Sequence, residues 1–345
     1  MPAIPNSGAI SLADFAAEFG GTAPHSMSEY YRDGGNVPSN NSNVPTAGAF
    51  RFGQMRGAIN AIINTLANTT NVNLATVFGD NWASSVPKEI IIPSGVTIGG
   101  TGSSDALIAP SGMGGTLTIT NAGNIIGFGG AVASAGGNAI NIASANITVA
   151  NSGLIAGGGG GGGSGGQGGQ GGSGSSDAGY DSAVIKGSCG QCSSVPTTGS
   201  SSACGSSKIS VYSRCFTQSC CMGEGSNGLC EFHCHNPQSG GAGGAGGSGG
   251  VGQGYNQTNA NGSAGGAGSN GAGSAGAGGT GGIGGNGATY GNSGGSGGTG
   301  STGANGGISN GVAGSSGASG GAAGAAVIYS VAYTMNNTGT VAGAA

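Results

Sequence analysis

A run of seven consecutive glycines, residues 157–163, is the feature that most restricts what this chain can fold into. Glycine loses more conformational freedom on folding than any other residue, so stable elements normally avoid such runs. A chain that keeps one either has a flexible linker there or adopts a fold in which only glycine fits. The sequence around the run favours the second explanation.

Glycine recurs at every third position in the region that follows, which extends to about residue 325 and is interrupted by one cysteine-rich block. Three residues per turn is the geometry of a polyproline-II helix, which has no internal hydrogen bonds. Its N–H and C=O groups must therefore find partners on other segments. The pattern predicts a sandwich of polyglycine-II helices that bond to one another through their backbones. The four rows are Gly240, Gly243, Gly246, Gly249 and Gly252; Gly241, Gly244, Gly247 and Gly250; Gly291, Gly294, Gly297, Gly300, Gly303 and Gly306; and Gly311, Gly314, Gly317 and Gly320.

The alternative, a flexible linker, stays open because Gly/Ser tracts commonly serve as linkers. Two features count against it. Disordered segments typically carry charge, yet no Asp, Glu, Lys or Arg follows Glu231. The tract also ends in the apolar, strand-like phrase AAVIYSVAYTM, residues 325–335, which a linker does not need. Collagen is excluded because no proline follows Pro237.

An internal repeat precedes the glycine tract and returns after it. The phrase TITNAGNIIGFGG at 118–130 matches TVANSGLIAGGGG at 148–160, and TMNNTGTVAGA at 334–344 is a third copy. Asn and Gly at fixed offsets predict a tight turn with positive φ, followed by an Ile or Val that packs inward. Such repeats are typical of stacked β coils. The shared turn residues are Asn121 and Gly123, Asn151 and Gly153, and Asn337 and Gly339.

Residues 1–90 hold most of the charge and predict a small helical attachment region. SLADFAAEFGG reads as a short helix, with Ser11 as its N-cap and Asp14 three residues on. Ser26 and Glu29 repeat this signal in SMSEYYR. RFGQMRGAINAIINTLAN, residues 51–68, predicts an amphipathic helix. Its apolar stripe consists of Met55, Ile59, Ile62, Ile63 and Leu66.

The predicted fold class is mostly β and irregular, in three parts. An attachment region covers 1–90, a β-solenoid-like spacer covers 91–156, and a glycine-rich polyglycine-II domain covers 157–345. The last part carries a cysteine-rich insertion at 186–236.

Charge and hydropathy exclude several function classes. The formal net charge is −4 and seven Lys and Arg residues form no basic patch, so nucleic acid is not an expected partner. No apolar run reaches the roughly 18 residues that a membrane span needs, and no signal peptide is visible. Enzyme activity is not expected, since the GxSxG matches at Ser164 and Ser248 follow from glycine content and lack a strand–helix context.

All eight cysteines lie within residues 189–234, among Gly, Ser and few apolar residues. Such a cluster predicts a small lobe stapled by disulfides, although eight cysteines allow 105 pairings and the sequence selects none. No metal or other cofactor is favoured. Zinc remains the alternative, with Cys189 and Cys192 as one half-site and Cys230, His233, Cys234 and His235 as the other. The remaining cysteines are Cys204, Cys215, Cys220 and Cys221.

The same block concentrates the charged and aromatic side chains that the glycine tracts lack. Such residues are what recognition surfaces use, so the block is expected to display a contact surface. A stabilising plug without a ligand is the alternative. The candidate contact residues are Tyr212, Arg214, Phe216, Glu231 and Phe232.

The phrase ITVANSGLIAGGGGGGG and the long glycine-rich motifs after it resemble the tail-fibre adhesins of T-even-like bacteriophages. The resemblance implies a polyglycine-II sandwich whose distal loops touch an outer-membrane protein or surface glycan of the host bacterium. It covers residues 115–175 well, and 238–325 by composition and period. A cysteine lobe in place of short loops departs from the family.

The expected function is therefore receptor recognition at the tip of a phage tail fibre or tail. The expected partners are other tail or tail-fibre proteins, held through residues 1–90, and a host surface protein or glycan. The chain would be either a homotrimer or a single copy on a trimeric fibre, assembled in the host cytoplasm and located in the virion. The alternative is an architectural virion protein, such as a fibre, collar or baseplate element, whose cysteines cross-link subunits.

Overall fold

A computed structural model of the chain describes residues 4–183, 209–216 and 229–345, and within 176–236 it describes only the backbone of three strands. The N-terminal unit begins with helix α1, Leu12–Phe19, as predicted. Ser11 caps it, and the Ser11 and Asp14 side chains each bond the other's backbone N–H, which forms a capping box. Hydrogen bonds from the Ser11 side chain and backbone lower the pKa of the Asp14 carboxyl. A short 3-10 helix, Met27–Tyr30, follows with the predicted Ser26–Glu29 capping box.

This unit has a small apolar core of its own. Phe15 and Tyr30 are fully buried in it, and their rings meet edge to face with centroids 5.7 Å apart. The capped helix is held by this burial, because eight residues are too few for a stable isolated helix. The core residues are Ile4, Phe15, Phe19, Tyr30, Val37, Val44, Met55 and Ala58.

The predicted helix over residues 51–68 is wrong. The segment forms a 3-10 helix at Phe52–Met55 and then strand β1 at Ile62–Thr65. Gly57, with φ of +71°, ends the helical turn. Ile62 and Ile63 then pair in parallel with Lys88 and Glu89 of a later strand, and this pairing suits β-branched residues better than a helix does.

Strands from Ile62 onward form a stack of coils, each coil being one circuit of the chain through three parallel sheets. Coil 1 contains β1 (Ile62–Thr65), β2 (Thr69–Thr70) and β3 (Val72–Asn73). Helix α2, Leu74–Phe78, and a 3-10 helix, Gly79–Ala83, follow it. Coil 2 contains β4 (Lys88–Ile92), β5 (Thr97–Gly99) and β6 (Leu107–Ala109), and coil 3 contains β7 (Leu117–Asn121), β8 (Asn124–Ile126) and β9 (Ile140–Ile142).

Coil 4 is split by the glycine-rich region. It begins with β10 (Ile147–Asn151) and β11 (Leu154–Ala156), and its third strand is β15 (Val327–Tyr329). Coil 5 consists of β16 (Thr334–Asn337) and β17 (Thr340–Ala342). The sheet orders are β1-β4-β7-β10-β16, β2-β5-β8-β11-β17 and β3-β6-β9-β15. The stack therefore extends beyond the predicted spacer at 91–156 in both directions.

The glycine-rich region is thus an insertion at one corner of the stack, between the second and third strand of coil 4. The same corner lengthens from coil to coil. It is the single residue Asn71 in coil 1, residues 100–106 in coil 2, residues 127–139 in coil 3 and residues 157–326 in coil 4. The sequence repeat reflects the register in which the parallel strands of successive coils pair. Asn121 is the register partner of Asn151, and Asn151 is the register partner of Asn337.

Alternating Ile, Leu and Val residues fill the stack, with Ile90, Ile119 and Val149 fully buried in adjacent coils. The pattern of buried and part-buried residues in β4, β7 and β10 is the same, as expected for coils stacked in register. Among the residues whose burial is described, one buried residue is charged. Lys88 Nζ donates to the carbonyls of Ser84, Val86 and Gly114 at 2.7, 2.9 and 3.0 Å. Desolvation lowers the pKa of this ammonium group.

The three repeat glycines do not adopt the predicted positive φ. They are required because neighbouring coils approach closely at this corner. A Cβ on Gly153 would lie 2.0 Å from the Gly123 carbonyl oxygen, and one on Gly339 would lie 2.2 Å from that of Gly153. The turn prediction was therefore wrong in conformation, although it found the positions where no side chain fits.

Six extended segments make up the glycine-rich region. We number them glycine segments 1 to 6: 157–173, 240–253, 259–271, 275–289, 293–306 and 310–325. Their backbones bond to one another at every third residue. Gly162, Gly165 and Gly168 of segment 1, for example, donate to Gly250, Gly247 and Gly244 of segment 2 at 2.7–2.9 Å.

The bonding pattern arranges these segments in two layers. Segments 3, 4 and 5 form one layer, and segments 2, 1 and 6 form the other. Segment 1 bonds to segments 2, 4, 5 and 6, so it lies at the centre of the sandwich. The amide and carbonyl groups of each segment point sideways to several neighbours, which a flexible linker cannot do.

Glycine is needed wherever two segments face each other. A Cβ added to Gly168 would lie 2.0 Å from the Gly279 carbonyl oxygen, and one on Gly169 would lie 1.7 Å from that of Val312. Such distances do not occur between real atoms, so the backbones are too close for any side chain.

Among the described residues, no helix has both the length and the apolar character needed to cross a bilayer.

Candidate functional site

The two ends of the glycine sandwich differ. At one end, segment 1 leaves the coil stack at Ala156 and segment 6 returns to it at Val327. The connections 254–258 and 290–292 also lie at this end, where the Tyr255 ring covers Gly99 of β5 and Gly291 N–H donates to Gly157. We call this the near end and the opposite one the far end.

Three connections meet at the far end: residues 174–239, 272–274 and 307–309. Hydrogen bonds join all three. Ser274 N–H donates to Ser175 O at 2.9 Å, Gly307 N–H donates to Ser274 O at 2.8 Å, and Ile308 N–H donates to Ser173 O at 3.0 Å. Gly273, with φ of +59°, makes the tight turn in the second connection. The far end is therefore a joined surface rather than three independent loops.

The longest connection contains a three-stranded antiparallel sheet. Strand β12 is Gly174–Ala183, β13 is Ile209–Phe216 and β14 is Leu229–Gln238, in the order β12-β14-β13. Strand β12 continues directly from segment 1, and β14 leads directly into segment 2. The sheet is thus continuous with two neighbouring segments of the sandwich.

The predicted contact residues all fall on two paired strands of this sheet. Tyr212, Arg214 and Phe216 occupy alternate positions along β13. Arg214 is the register partner of Glu231, and Phe232 is the partner of Ser213.

The predicted cysteine site is only partly covered by the described residues. Five cysteines lie outside them: Cys189, Cys192, Cys204, Cys220 and Cys221. The other three lie on strands, with Cys215 as the register partner of Cys230 and Cys234 as that of Ser210. Of the zinc alternative, Cys230, His233, Cys234 and His235 all lie on β14.

Sequence reasoning missed two exposed apolar residues, Ile308 in the third far-end connection and Val312 in segment 6 beside it. They are 49% and 58% exposed. The signal was available, because few large apolar residues occur within the glycine tracts. Ile283, in the middle of segment 4, is a third such residue and is 63% exposed.

A rigid, uncharged backbone scaffold that carries a chemically varied surface at one end defines a protein built to present a binding surface. The comparisons identify the family. The family model for the phage tail fibre adhesin Gp38 matches residues 59–245, which is more than half of the chain. The chain belongs to this family, and the resemblance read from its sequence is confirmed.

Among solved structures, the chain is similar to the crystal structure of the gp37-gp38 adhesin tip complex of the bacteriophage S16 long tail fiber. The identity is 16%, the match covers 99% of both chains and the TM-score is 0.35, a value too low to carry an argument about this chain. No curated protein sequence matches the chain. Family membership makes the chain a receptor-binding adhesin of a phage tail fibre, located in the virion tail. Membership in an adhesin family is in keeping with a structural protein of the fibre.

Proposed function

We propose that the far end of the glycine sandwich is the surface that contacts the host receptor, a bacterial surface protein or glycan. The observation that carries this proposal is the joining of all three far-end connections by hydrogen bonds, at the end opposite the coil stack. A surface held on a rigid scaffold loses less entropy when it binds, which raises its affinity.

Within this surface, the three-stranded sheet is the main contact element. It holds the paired Arg214 and Glu231, and the aromatic residues Tyr212, Phe216 and Phe232 lie on the same two strands. Aromatic and Arg residues dominate the binding energy of protein interfaces. The two far-end loops at 272–274 and 307–309 would border it, with Ile308 as an apolar contact.

The scaffold behind the tip consists of two rigid parts in this proposal. The coil stack is a β-solenoid, supported by parallel register over five coils. The glycine segments are polyglycine-II helices, supported by their three-residue hydrogen-bond period. The rows of glycine predicted from the sequence coincide with the positions where neighbouring backbones meet.

We further propose that residues 1–90 mount the chain on another tail-fibre protein. Residues 4–58 have their own core, separate from that of the stack, and this unit carries the exposed Phe52. The Phe52 ring lies 5.1 Å from the Phe15 ring, so a partner that covers Phe52 would extend an aromatic cluster that already exists. The stoichiometry on the fibre and assembly in the host cytoplasm stay predictions.

The cysteines would staple the lobe by disulfides rather than bind zinc. The register of β13 and β14 supports one pair, Cys215 with Cys230. Directly opposed residues of an antiparallel sheet have Cα atoms about 4.5–5.5 Å apart, within the range of about 4.4–6.8 Å that a disulfide spans. Fixing this pair would leave six cysteines and 15 arrangements.

The test is a phage whose adhesin lacks the lobe. Ser175 and Pro237 are register partners on β12 and β14, so a two-residue Asn-Gly turn can replace residues 176–236. We expect particles of normal composition that no longer adsorb to host cells. Defective particles would favour the architectural alternative, and unchanged adsorption would place the receptor contact elsewhere.

A further inference from the structure

A partial third layer lies on the outer face of the sandwich, over segment 1. It is formed by residues 127–138 of coil 3, which run out along segment 1, turn near Ala133 and return. Gly130 and Ala133 N–H donate to Gly159 and Gly162 O at 2.8 and 2.9 Å, and Gly252 N–H of segment 2 donates to Gly130 O at 2.8 Å. The outward arm, 127–131, therefore lies in the groove between segments 1 and 2.

The third layer covers only the near part of this groove, and the sequence of segment 1 changes where it ends. Under the layer, Gly158 and Gly161 are glycine by necessity. A Cβ on Gly158 would lie 1.7 Å from the Phe128 carbonyl oxygen, and one on Gly161 would lie 1.8 Å from that of Ala131. The next positions of the same row carry side chains: Ser164, Gln167, Gln170 and Ser173.

Beyond the layer, the groove keeps the hydrogen-bonding groups that the outward arm uses. The carbonyls of Gly165, Gly168 and Gly171 repeat the positions of Gly159 and Gly162 at three-residue intervals. Among the described residues, none of these three carbonyls accepts a backbone hydrogen bond. The N–H groups of Gly243, Gly246 and Gly249, which repeat the position of Gly252, likewise have no backbone partner within the described part of the chain.

We propose that the side chains of Ser164, Gln167 and Gln170 block this groove, which without them would bind further glycine-rich backbone as its near end does. Its occupant at the near end is the 127–131 arm, and a continuation of that arm would meet the same donors and acceptors. A side chain in the row occupies the place that each further turn of the arm would need, as the distances at Gly158 and Gly161 show.

Blocking the groove would protect a glycine-rich protein from pairing with other chains. Unpaired backbone groups in a row invite pairing with another chain, as at the edge of a β-sheet. Six segments of each copy are rich in glycine, so an open groove would accept backbone from a second copy. This proposal rests on the bonding of the segments and does not depend on the adhesive role.

The test lengthens the third layer by one turn, by duplicating residues 128–130 in the outward arm and 134–136 in the return arm. The full-length adhesin is made with this insertion in three backgrounds: the natural row, Ser164→Gly with Gln167→Gly, and Ser164→Ala with Gln167→Ala. Amide hydrogen exchange of the insertion and of segment 2 is measured by mass spectrometry. Segment 4, which lies in the opposite layer, reports whether each variant is folded.

We expect amide exchange in the insertion and in segment 2 to be about tenfold slower in the glycine background than in the natural and alanine backgrounds. The alanine background is the matched control, since its Cβ atoms still block the groove. Slow exchange of the insertion in the natural or alanine row would overturn the proposal, and so would fast exchange in the glycine row while segment 4 stays protected. If segment 4 of the double glycine variant loses protection, the single substitution Ser164→Gly takes its place, because Ser164 lies under the added turn. Slow exchange of the insertion in this variant would support the proposal, and fast exchange with segment 4 protected would overturn it.

Discussion

Asn121 Nδ2 donates a hydrogen bond of 2.7 Å to Asn151 Oδ1, which belongs to the next coil of the stack. Asn151 Nδ2 in turn donates to Asn337 Oδ1 at 2.7 Å, so three coils are joined by a ladder of side-chain amides. The ladder ends at Asn121, whose Oδ1 is buried without a partner and whose register neighbour in coil 2 is Ile92. The ladder therefore holds coil 4, which contains the glycine-rich insertion, to the coils on either side of it.

Asn151→Ala should destabilise the chain by about 1–3 kcal/mol, because it removes both rungs and leaves the buried Asn121 Nδ2 with only its 3.2 Å bond to Leu154 O. Thermal unfolding followed by circular dichroism measures this loss. Asn337→Ala is the matched control, since Asn337 is exposed and forms only the last rung. An equal effect of the two substitutions would show that the ladder contributes nothing beyond the exposed end.

Gly168→Ala should destabilise the sandwich by about 1–3 kcal/mol or more, since the new Cβ would force segments 1 and 4 apart. Gly298→Ala is the matched control, because a Cβ there would have its nearest neighbour at 3.4 Å. Both substitutions replace glycine by alanine, so they lower the conformational entropy of the unfolded chain equally. The midpoint of thermal unfolding compares them, and equal midpoints would contradict the close packing described for segment 1.

Lys88→Met should destabilise the stack, because the carbonyls of Ser84, Val86 and Gly114 lose their common donor. The natural chain should also show a pH dependence that the variant lacks. The pKa of Lys88 is lowered in the folded state, so the unfolded state binds more protons. The free energy of unfolding should therefore rise as the pH increases from the lowered pKa towards the ordinary value of about 10.4.

Urea titrations at a series of alkaline pH values measure this difference between Lys88 and the variant. The comparison is needed because burial raises the pKa of Tyr30 and Tyr333, which lowers stability at the highest pH values in both proteins. The same slope in both proteins would mean that Lys88 is not the group responsible.

Ile308→Ser should weaken adsorption to host cells severalfold if the far end contacts the receptor, since it removes an apolar side chain that the receptor would bury. Ile283→Ser is the matched control, as Ile283 is more exposed but lies midway along segment 4. Adsorption constants of otherwise identical phages measure the difference. Equal loss in both variants would argue against a contact surface confined to the far end.

Peptide mapping of the virion under non-reducing conditions should recover Cys215 linked to Cys230. Two thiols would be oxidised to one disulfide with loss of two protons and two electrons, which an oxidant such as glutathione disulfide accepts. Cys215→Ser with Cys230→Ser should leave the other cysteine pairs unchanged. Recovery of either cysteine in another pair, or as a zinc-bound thiolate, would contradict the register argument.

The repeat and the glycine period could be recognised from the sequence because both depend on local spacing. The three-residue rows, such as Gly240 to Gly252, coincide with backbone contacts, and the offset between Asn121 and Asn151 is the length of one coil. The capping boxes at Ser11 and Ser26 were also readable, since they involve residues three positions apart.

The rest depends on contacts between distant residues. The segment with Ile62 and Ile63 has a helical period, yet parallel pairing with β4 makes it a strand. Nothing local shows that β15 closes a coil begun by β10 and β11, 171 positions earlier at Ala156. The far-end position of Ile308 likewise follows from the order in which the segments stack, which glycine spacing alone does not specify.

The position of the insertion also governs the order in which the molecule can be completed during synthesis. Coil 4 lacks its third strand until Val327 leaves the ribosome, and coil 5 is synthesised after it. Ala342 and Ala344 then accept hydrogen bonds from Gly157 and Val327, the residues at the entry to and exit from the insertion. A polypeptide that stopped before Ala342 would expose an unfinished stack, so residues 340–344 close the point where the insertion leaves and rejoins coil 4.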